Sequence, residues 1–502
     1  MVSSSIFLCG LLVTWATPIW LISVGAAVGL LVLAAIYGVL YLVSRPTADG
    51  MFATVREGVL LPIFYLVCAL SAFAVLGTVL VPGLPYQKVF SSVSRLSSVG
   101  DREIEIVVPP STRNYPLKEV NVPLAELNGF IIDVDEPLSV ETNISSSLGQ
   151  ILAFRMAPGS PFSWRKPLAQ DKDSVFNQRA EDWKASNPGT KPAHLKVMLA
   201  TDIEYPQVWI VPGTALALLG LVGTYLALRL GMSKVAAIAL VTAKESMAQP
   251  LYYVVMALGC FALLAFIYIP YNTFGEDVKM LKDSGLTLIM VLAIIVAVWS
   301  ASVSVWEEVE GRTALTVLSK PVLRRQFILG KFLGILGPVV VLFVVLGFLF
   351  LVTVSYKVVY DSREVAKLEP TWQLCYVEMI RTLPGLVLAF FETVVLTAIS
   401  VAISTRLPMV ANLIVCASIY VLGHLVPMLV NSSVGKFEIV RFVGQFLATV
   451  LPVLDHFNIQ AAVAAGAAVP LAYLGMAFLY CVLYSTIAML LGLAMFEDRD
   501  LA

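Results

Sequence analysis

The sequence predicts an all-α polytopic membrane protein with about nine transmembrane helices and an inserted extracytoplasmic β-rich domain. Three observations predict it. The 502 residues are 59% hydrophobic and 13% charged, with a mean hydropathy of +0.86, whereas soluble domains carry about 25% charged residues. A protein core needs less apolar surface than this, so lipid is the solvent for much of the chain. Charge-free runs recur at the length of about 20 residues that spans a bilayer. Residues 82–206 break that pattern with short alternating runs between turn residues.

The apolar runs, charge-free except for Glu392, fall at 19–43, 58–81, 207–228, 250–270, 285–306, 332–355, 384–404, 409–430 and 470–495. The first charge in the chain is Arg45. A secretory signal starts with basic residues and has a shorter apolar core, so residues 1–45 read as a retained membrane helix behind an interfacial segment. With residues 307–331 in the cytoplasm, the inner segments hold 12 basic residues and the longer outer loops 8. That asymmetry orients membrane proteins. It places the N-terminus and residues 82–206 outside a plasma or inner membrane and the C-terminus in the cytoplasm. The expected organisation is two helices in 1–81, the β-rich domain in 82–206, a third helix in 207–231 and six helices in 232–500.

Within 82–206, "REIEIVV", "LKEVNVPL", "FIIDVDEPLSVETNI" and "ILAFRM" alternate like strands with one buried face. "APGSPFSWRKPLAQDKDS" and "WKASNPGTKPAH" read as loops. The expected fold is a small sandwich, serving either as a spacer or lid or as a binding domain for an extracytoplasmic partner. Net charge is −1, which implies no nucleic-acid partner. Six scattered cysteines and three distant histidines suggest neither a disulfide framework nor a metal site. Small residues in "SVGAAVGLLVLAA" and "AVAAGAAVPLAYLG" suit close helix packing.

The stretch "VWEEVEGRTALTVLSKPVLRRQFILGK" (305–331) is unusual for this chain. From Glu307 to Lys331 it places three acids first and five basic residues later. The acids suit the first turn of a helix leaving the membrane, complementing its positive end. Pro321 stops that helix, and Ser319 caps a short second one carrying Arg324, Arg325, Phe327 and Ile328. The expected unit is a bent amphipathic helix pair, either a lipid-facing anchor or a docking lever.

The run Glu308-x-Glu310-Gly311-Arg312-Thr313, then Leu318-Ser319-x-Pro321-Val322-x-Arg324 and Leu329-Gly330-Lys331, resembles the cytoplasmic loop of ABC-2-type permeases. "MSKVAAIALVTAKESMAQPLYYVVM" (232–256) is similar to that family's amphipathic elbow and first span. "LPVLDHFNIQ" (451–460) resembles an element before its last span. The resemblance covers about residues 232–500. It implies a coupling helix that docks on a separate ABC ATPase subunit, with Glu308, Glu310, Arg312, Thr313, Leu318, Pro321 and Arg324 as contacts. It also implies a dimer, with itself or a homologous permease.

The phosphate-binding pattern G-x-x-x-x-G-K-[ST] is not met at Gly330-Lys331, which Phe332 follows. The chain is therefore expected to be no enzyme itself and to bind no cofactor, with ATP and Mg held by the partner. Glu392 lies inside a predicted span, where an ionisable group either lines a translocation path or makes a structural bond. Asp455 and His456 reach it only if residues 440–468 dip into the membrane. The expected function is the permease of an ATP-driven exporter. The alternatives are a mechanotransmission subunit acting on extracytoplasmic partners, or a membrane scaffold or enzyme that uses residues 82–206.

Overall fold

In a computed structural model of the chain, the described residues are 2–45, 58–80, 84–96, 99–117, 126–143, 152–165, 181–203, 205–269, 276–311, 322–364, 370–431 and 438–497, with Asp49, Gly50, Phe52, Arg56 and Val120 between them. They divide into two compact units, Met1–Leu84 with Ile210–Ala502, and Pro85–Trp209.

Among the described residues of the first unit, nine helical segments are long and apolar enough to cross a membrane. Helices α1 (Val2–Val43) and α2 (Leu61–Leu80) come first. In sequence, the second unit separates them from α4 (Ile210–Gly231); it begins with α3 (Tyr86–Arg95). Then follow α5 (Ser233–Ala248), α6 (Pro250–Tyr268) and α7 (Asp277–Ala301). Helix α7 runs on through a π-helical turn at Ser302–Glu307 to Glu310. The remainder are α8 (Arg324–Glu364), α9 (Trp372–Ile380), α10 (Leu383–Ser404), α11 (Met409–Asn431), α12 (Glu438–Val450), α13 (Gln460–Ala464) and α14 (Leu471–Glu497). Helix α5, 16 residues long, is the elbow and too short to count as a span.

Two contacts between small residues set the packing. A side chain at Gly25 or Gly29 of α1 would run into Thr214, Ala215 and Leu218 of α4, and Trp20 Nε1 of α1 donates to Ala74 O of α2 at 3.0 Å. The second seam joins α8 to the elbow. A Cβ at Gly330 would lie 2.7 Å from Ile238, and one at Gly334 would lie 2.6 Å from Thr242 and 2.7 Å from Ala239 O. Only hydrogen at these positions lets the backbones approach so closely. Helix α8 also packs against α1, α2, α6, α7, α9, α10 and α14, which makes it the central post of the unit.

The second unit holds α3 (Tyr86–Arg95) and strands β1 (Asp101–Val108), β2 (Thr112–Pro116), β3 (Leu127–Val134), β4 (Leu138–Asn143), β5 (Leu152–Met156), β6 (Phe162–Arg165), β7 (Glu181–Asn187) and β8 (Ala193–Thr201). Two four-stranded antiparallel sheets, β1-β8-β3-β6 and β2-β7-β4-β5, share one apolar core. Phe130 of the first sheet meets Trp183 of the second edge-on, with ring centroids 5.1 Å apart. Buried Asn187 ties the ends of the sandwich, donating to Lys191 O at 2.9 Å and accepting from Gly189 N at 2.9 Å.

Several expectations change. Strands β6 and β7 lie in the stretches read as loops. Trp183 and Ala185 alternate inward on β7, but Lys184, Ser186 and Asn187 mask that rhythm in the sequence. "LKEVNVPL" lies largely outside the described residues. The three acids do not begin a helix; they end α7, because helical hydrogen bonding continues past the last apolar residue as far as Gly311 N to Glu307 O, 2.9 Å. Likewise Arg324–Ile328 open the long α8 and form no separate short helix. The glycine of "AVAAGAAV", Gly466, has φ +79 and turns the chain after α13.

The α5–α8 seam gives a direct test. Gly334→Ala should destabilise the purified protein by about 1–3 kcal/mol, the usual cost of overpacking. Gly220→Ala, with open space around it on α4, should be neutral or slightly stabilising. Paired thermal unfolding curves in detergent would separate them.

Candidate functional site

The site is built where α7 ends, α8 begins and the elbow α5 crosses both. Three consecutive constraints bring its charges together. The π turn at Ser302–Glu307 carries one extra residue, a device that re-aims the side chains following it. Ser302 and Ser304 hydroxyls donate to Val298 O and Ser300 O one turn earlier. Beyond the turn, Glu308 Oε1 accepts from Lys331 Nζ at 2.6 Å. Lys331 is almost wholly buried, with its ammonium 5.7 Å from the Phe327 ring centroid.

The pair fixes the two ends of the 307–331 connection to each other. The elbow adds Glu245. Burial pushes the Glu245 carboxyl above its usual range; Lys331 pulls it back, and Glu308 and Glu307 push it further up. Glu245 therefore lies within electrostatic reach of Lys331, Glu308 and Glu307 near the negative end of α7. Lys331 and Glu308 are the bonded pair of that group.

Among the expected contacts, Glu308 is thus committed to Lys331, and Glu310 stays exposed in the last turn of α7. Arg324 donates through Nη1 to Phe496 O at 3.2 Å and Glu497 O at 2.8 Å, the last carbonyls of α14. Arg406 joins it there, donating to Met495 O at 2.7 Å. Both charges complement the negative end of that helix. Arg312, Thr313, Leu318 and Pro321 lie outside the described residues, as does most of the expected amphipathic pair.

A second cluster lies deeper in the helices. Glu392 of α10 is 1% exposed and faces His424 of α11, with Oε1 3.5 Å from Nε2. The other ring nitrogen of His424 lies 3.0 Å from Tyr420 O. Asp455 and His456 do not join Glu392. They are exposed in the turn Leu454–Phe457, where His456 O accepts from Tyr473 Oη at 2.6 Å.

Between this cluster and the π turn sits fully buried Asn412. Its amide nitrogen lies 2.8 Å from Ser302 Oγ, 2.8 Å from Ser400 Oγ and 2.9 Å from Ser404 Oγ, joining α7, α10 and α11. Sequence reading missed Lys331, His424 and Asn412 as partners. Each was visible as a polar group in or beside an apolar run, but only the fold says which helix it faces. Among the described residues, no group of three metal-ligating side chains converges.

The ion cluster supports two expectations. Lys331→Met should cost about 3–5 kcal/mol, because it leaves a partly buried carboxylate uncompensated. The double variant Glu308→Gln/Lys331→Met should recover part of that loss, as a double-mutant cycle in detergent would show. Glu245→Gln should raise Tm slightly at pH 7–8. Since its carboxyl is raised in the folded state above the ordinary 4.5, the ionised form opposes folding only above that value. The gain should vanish below it.

No curated protein matches the chain significantly. A family model described as ABC-2 family transporter protein matches residues 235–501. The matched segment runs from the elbow through both charge clusters to the end of α14, just over half of the chain. The chain therefore belongs to the ABC-2 family of transporter proteins.

Proposed function

We propose that this permease component of an ABC transporter is the membrane subunit of an exporter, driven through segment 307–331 by a separate ATPase subunit. Permeases of the family work with such a subunit. In this reading the partner holds ATP and Mg, the permease acts as a dimer, and the 307–331 end of the helices faces the cytoplasm.

The observation that carries the reading is the Lys331–Glu308 pair between two long helices. A helix rises about 1.5 Å per residue, so α7 with its extension and the 41-residue α8 each exceed the ~30 Å hydrocarbon thickness. A push on the connection between them is delivered to stiff rods, not to a flexible loop. The elbow, locked to α8 by Gly330 and Gly334, would move with them. The shift would reach α10 and α11 through the Asn412 joint, and Glu392 with His424 lies on those two helices as the candidate lining of the path.

The test reverses two of the charges expected to contact the partner. Glu310→Lys combined with Arg312→Glu should abolish stimulation of the partner ATPase while membrane insertion and the Tm stay as in the parent. Unchanged stimulation would remove the docking assignment. In single-cysteine variants, Glu103→Cys should label from outside and Thr316→Cys from inside; the reverse would overturn the orientation.

A further inference from the structure

Around the first four turns of α8 the structure holds three adjoining cavities that the ion cluster does not use. The first, the most polar of the three at about 420 Å³, is lined by Ser233 and Lys234 of α5 and by Arg325, Gln326 and Leu329 of α8. The second is an apolar groove of about 440 Å³ between α8, α10 and α14, walled by Phe332, Phe390, Phe391, Phe478 and Val482. The third, about 550 Å³, is lined by α4, α5 and α8, including Leu221, Leu240, Leu333 and Val340. All three fall in the roughly 300–1,000 Å³ range of ligand sites.

Their connectivity is the informative feature. The polar cavity shares Arg325 and Leu329 with the second and Ser233 with the third. The two apolar cavities share Leu336, so they flank one ridge of α8 and meet at the polar end. From Arg325 to Leu336 the helix rises about 16 Å, close to half of the ~30 Å hydrocarbon core and thus to one leaflet.

The charges are of one sign. Lys234 and Arg325 edge the polar cavity, Arg229 lines the third, and no Asp or Glu is among the described residues lining any of them. Among the described residues, Arg325 makes no ion pair with a carboxylate, in contrast to Lys331 two turns along the same helix. Gln326 uses its carbonyl to accept from Leu323 N at 3.1 Å, which leaves its amide N–H groups as donors. The second cavity opens between lipid-facing side chains, with Val482 43% and Leu490 61% exposed.

We infer that the three cavities form a binding site for one two-chain anionic phospholipid of the leaflet on the 307–331 side. The phosphate lies between Lys234 and Arg325 and one acyl chain lies on each side of the Leu329–Leu336 ridge. A phosphodiester satisfies the basic cavity, and two chains fill two grooves that diverge from one polar point. A single soluble anion would leave both grooves to be filled separately. The lipid so held bridges the elbow, α8 and α14.

The test is native mass spectrometry of the full chain, delipidated in detergent and titrated with palmitoyl-oleoyl phosphatidylglycerol or with phosphatidylcholine carrying the same chains. One phosphatidylglycerol should bind at least tenfold more tightly than phosphatidylcholine. Arg325→Glu should remove that preference. Lys244→Glu, an exposed charge on α5 outside the cavities, should keep it. Val482→Trp, which fills a groove and alters no charge, should weaken binding about tenfold, and gives an independent reading if Arg325→Glu does not purify. Glycerol 3-phosphate, a headgroup without chains, should not compete. Equal affinity for the two lipids, an unchanged preference in Arg325→Glu with unweakened binding in Val482→Trp, or full competition by glycerol 3-phosphate would each overturn the assignment.

Discussion

The hydrocarbon core of a bilayer offers no partner to an ammonium group, so every lysine that the helices bury there must be answered from within the chain. Three such lysines organise the membrane unit. Lys331 is answered by Glu308 where α7 and α8 meet at the 307–331 connection. At the opposite end of the same helices, Lys282 of α7 is paired with Glu378 of α9. Lys357 of α8 donates to Ile267 O at 3.1 Å, with Asp277 Oδ2 3.5 Å away. These pairs gain little net stability over apolar packing, but a slipped register would strand a charge. They therefore fix how far each helix slides along its neighbours, which apolar contacts alone leave soft.

Small residues do the complementary job of setting how close the helices come. Gly25 and Gly29 seat α1 on α4, and Gly330 and Gly334 seat α8 on the elbow. Together, charge and closeness make α5, α7 and α8 one mechanical piece at the charged connection. The pairing of Arg324 and Arg406 with the last carbonyls of α14 extends that piece to the final helix. In the proposed coupling, a push on the connection would be spread over several helices before it reaches the polar joint at Asn412.

Much of this could be read from residues alone, and the limits have physical causes. Charge-free runs located the spans because lipid excludes charge, and the Glu308–Arg324 pattern pointed to the family. The ends of the helices were hidden, because a helix stops where its hydrogen bonds stop and not where hydrophobicity does. For the same reason the acids from Glu307 to Glu310 turned out to close α7. Strand β7 was hidden by Lys184, Ser186 and Asn187, whose polar character reads as loop while Trp183 and Ala185 carry the inward rhythm. The partners of Lys331, Glu392 and Asn412 were not legible at all. Each contact joins residues on different helices, and only packing decides which faces meet.

Asn412 has a consequence of its own. A carboxamide nitrogen carries two protons, yet three serine hydroxyls, from α7 and α10, lie within 2.9 Å of it. At any instant one of the three must do without it, so the joint has more than one possible bonding pattern. Small displacements between those helices can exchange one serine for another with the number of hydrogen bonds unchanged. The helices stay joined at this point while the particular bonds that join them can change.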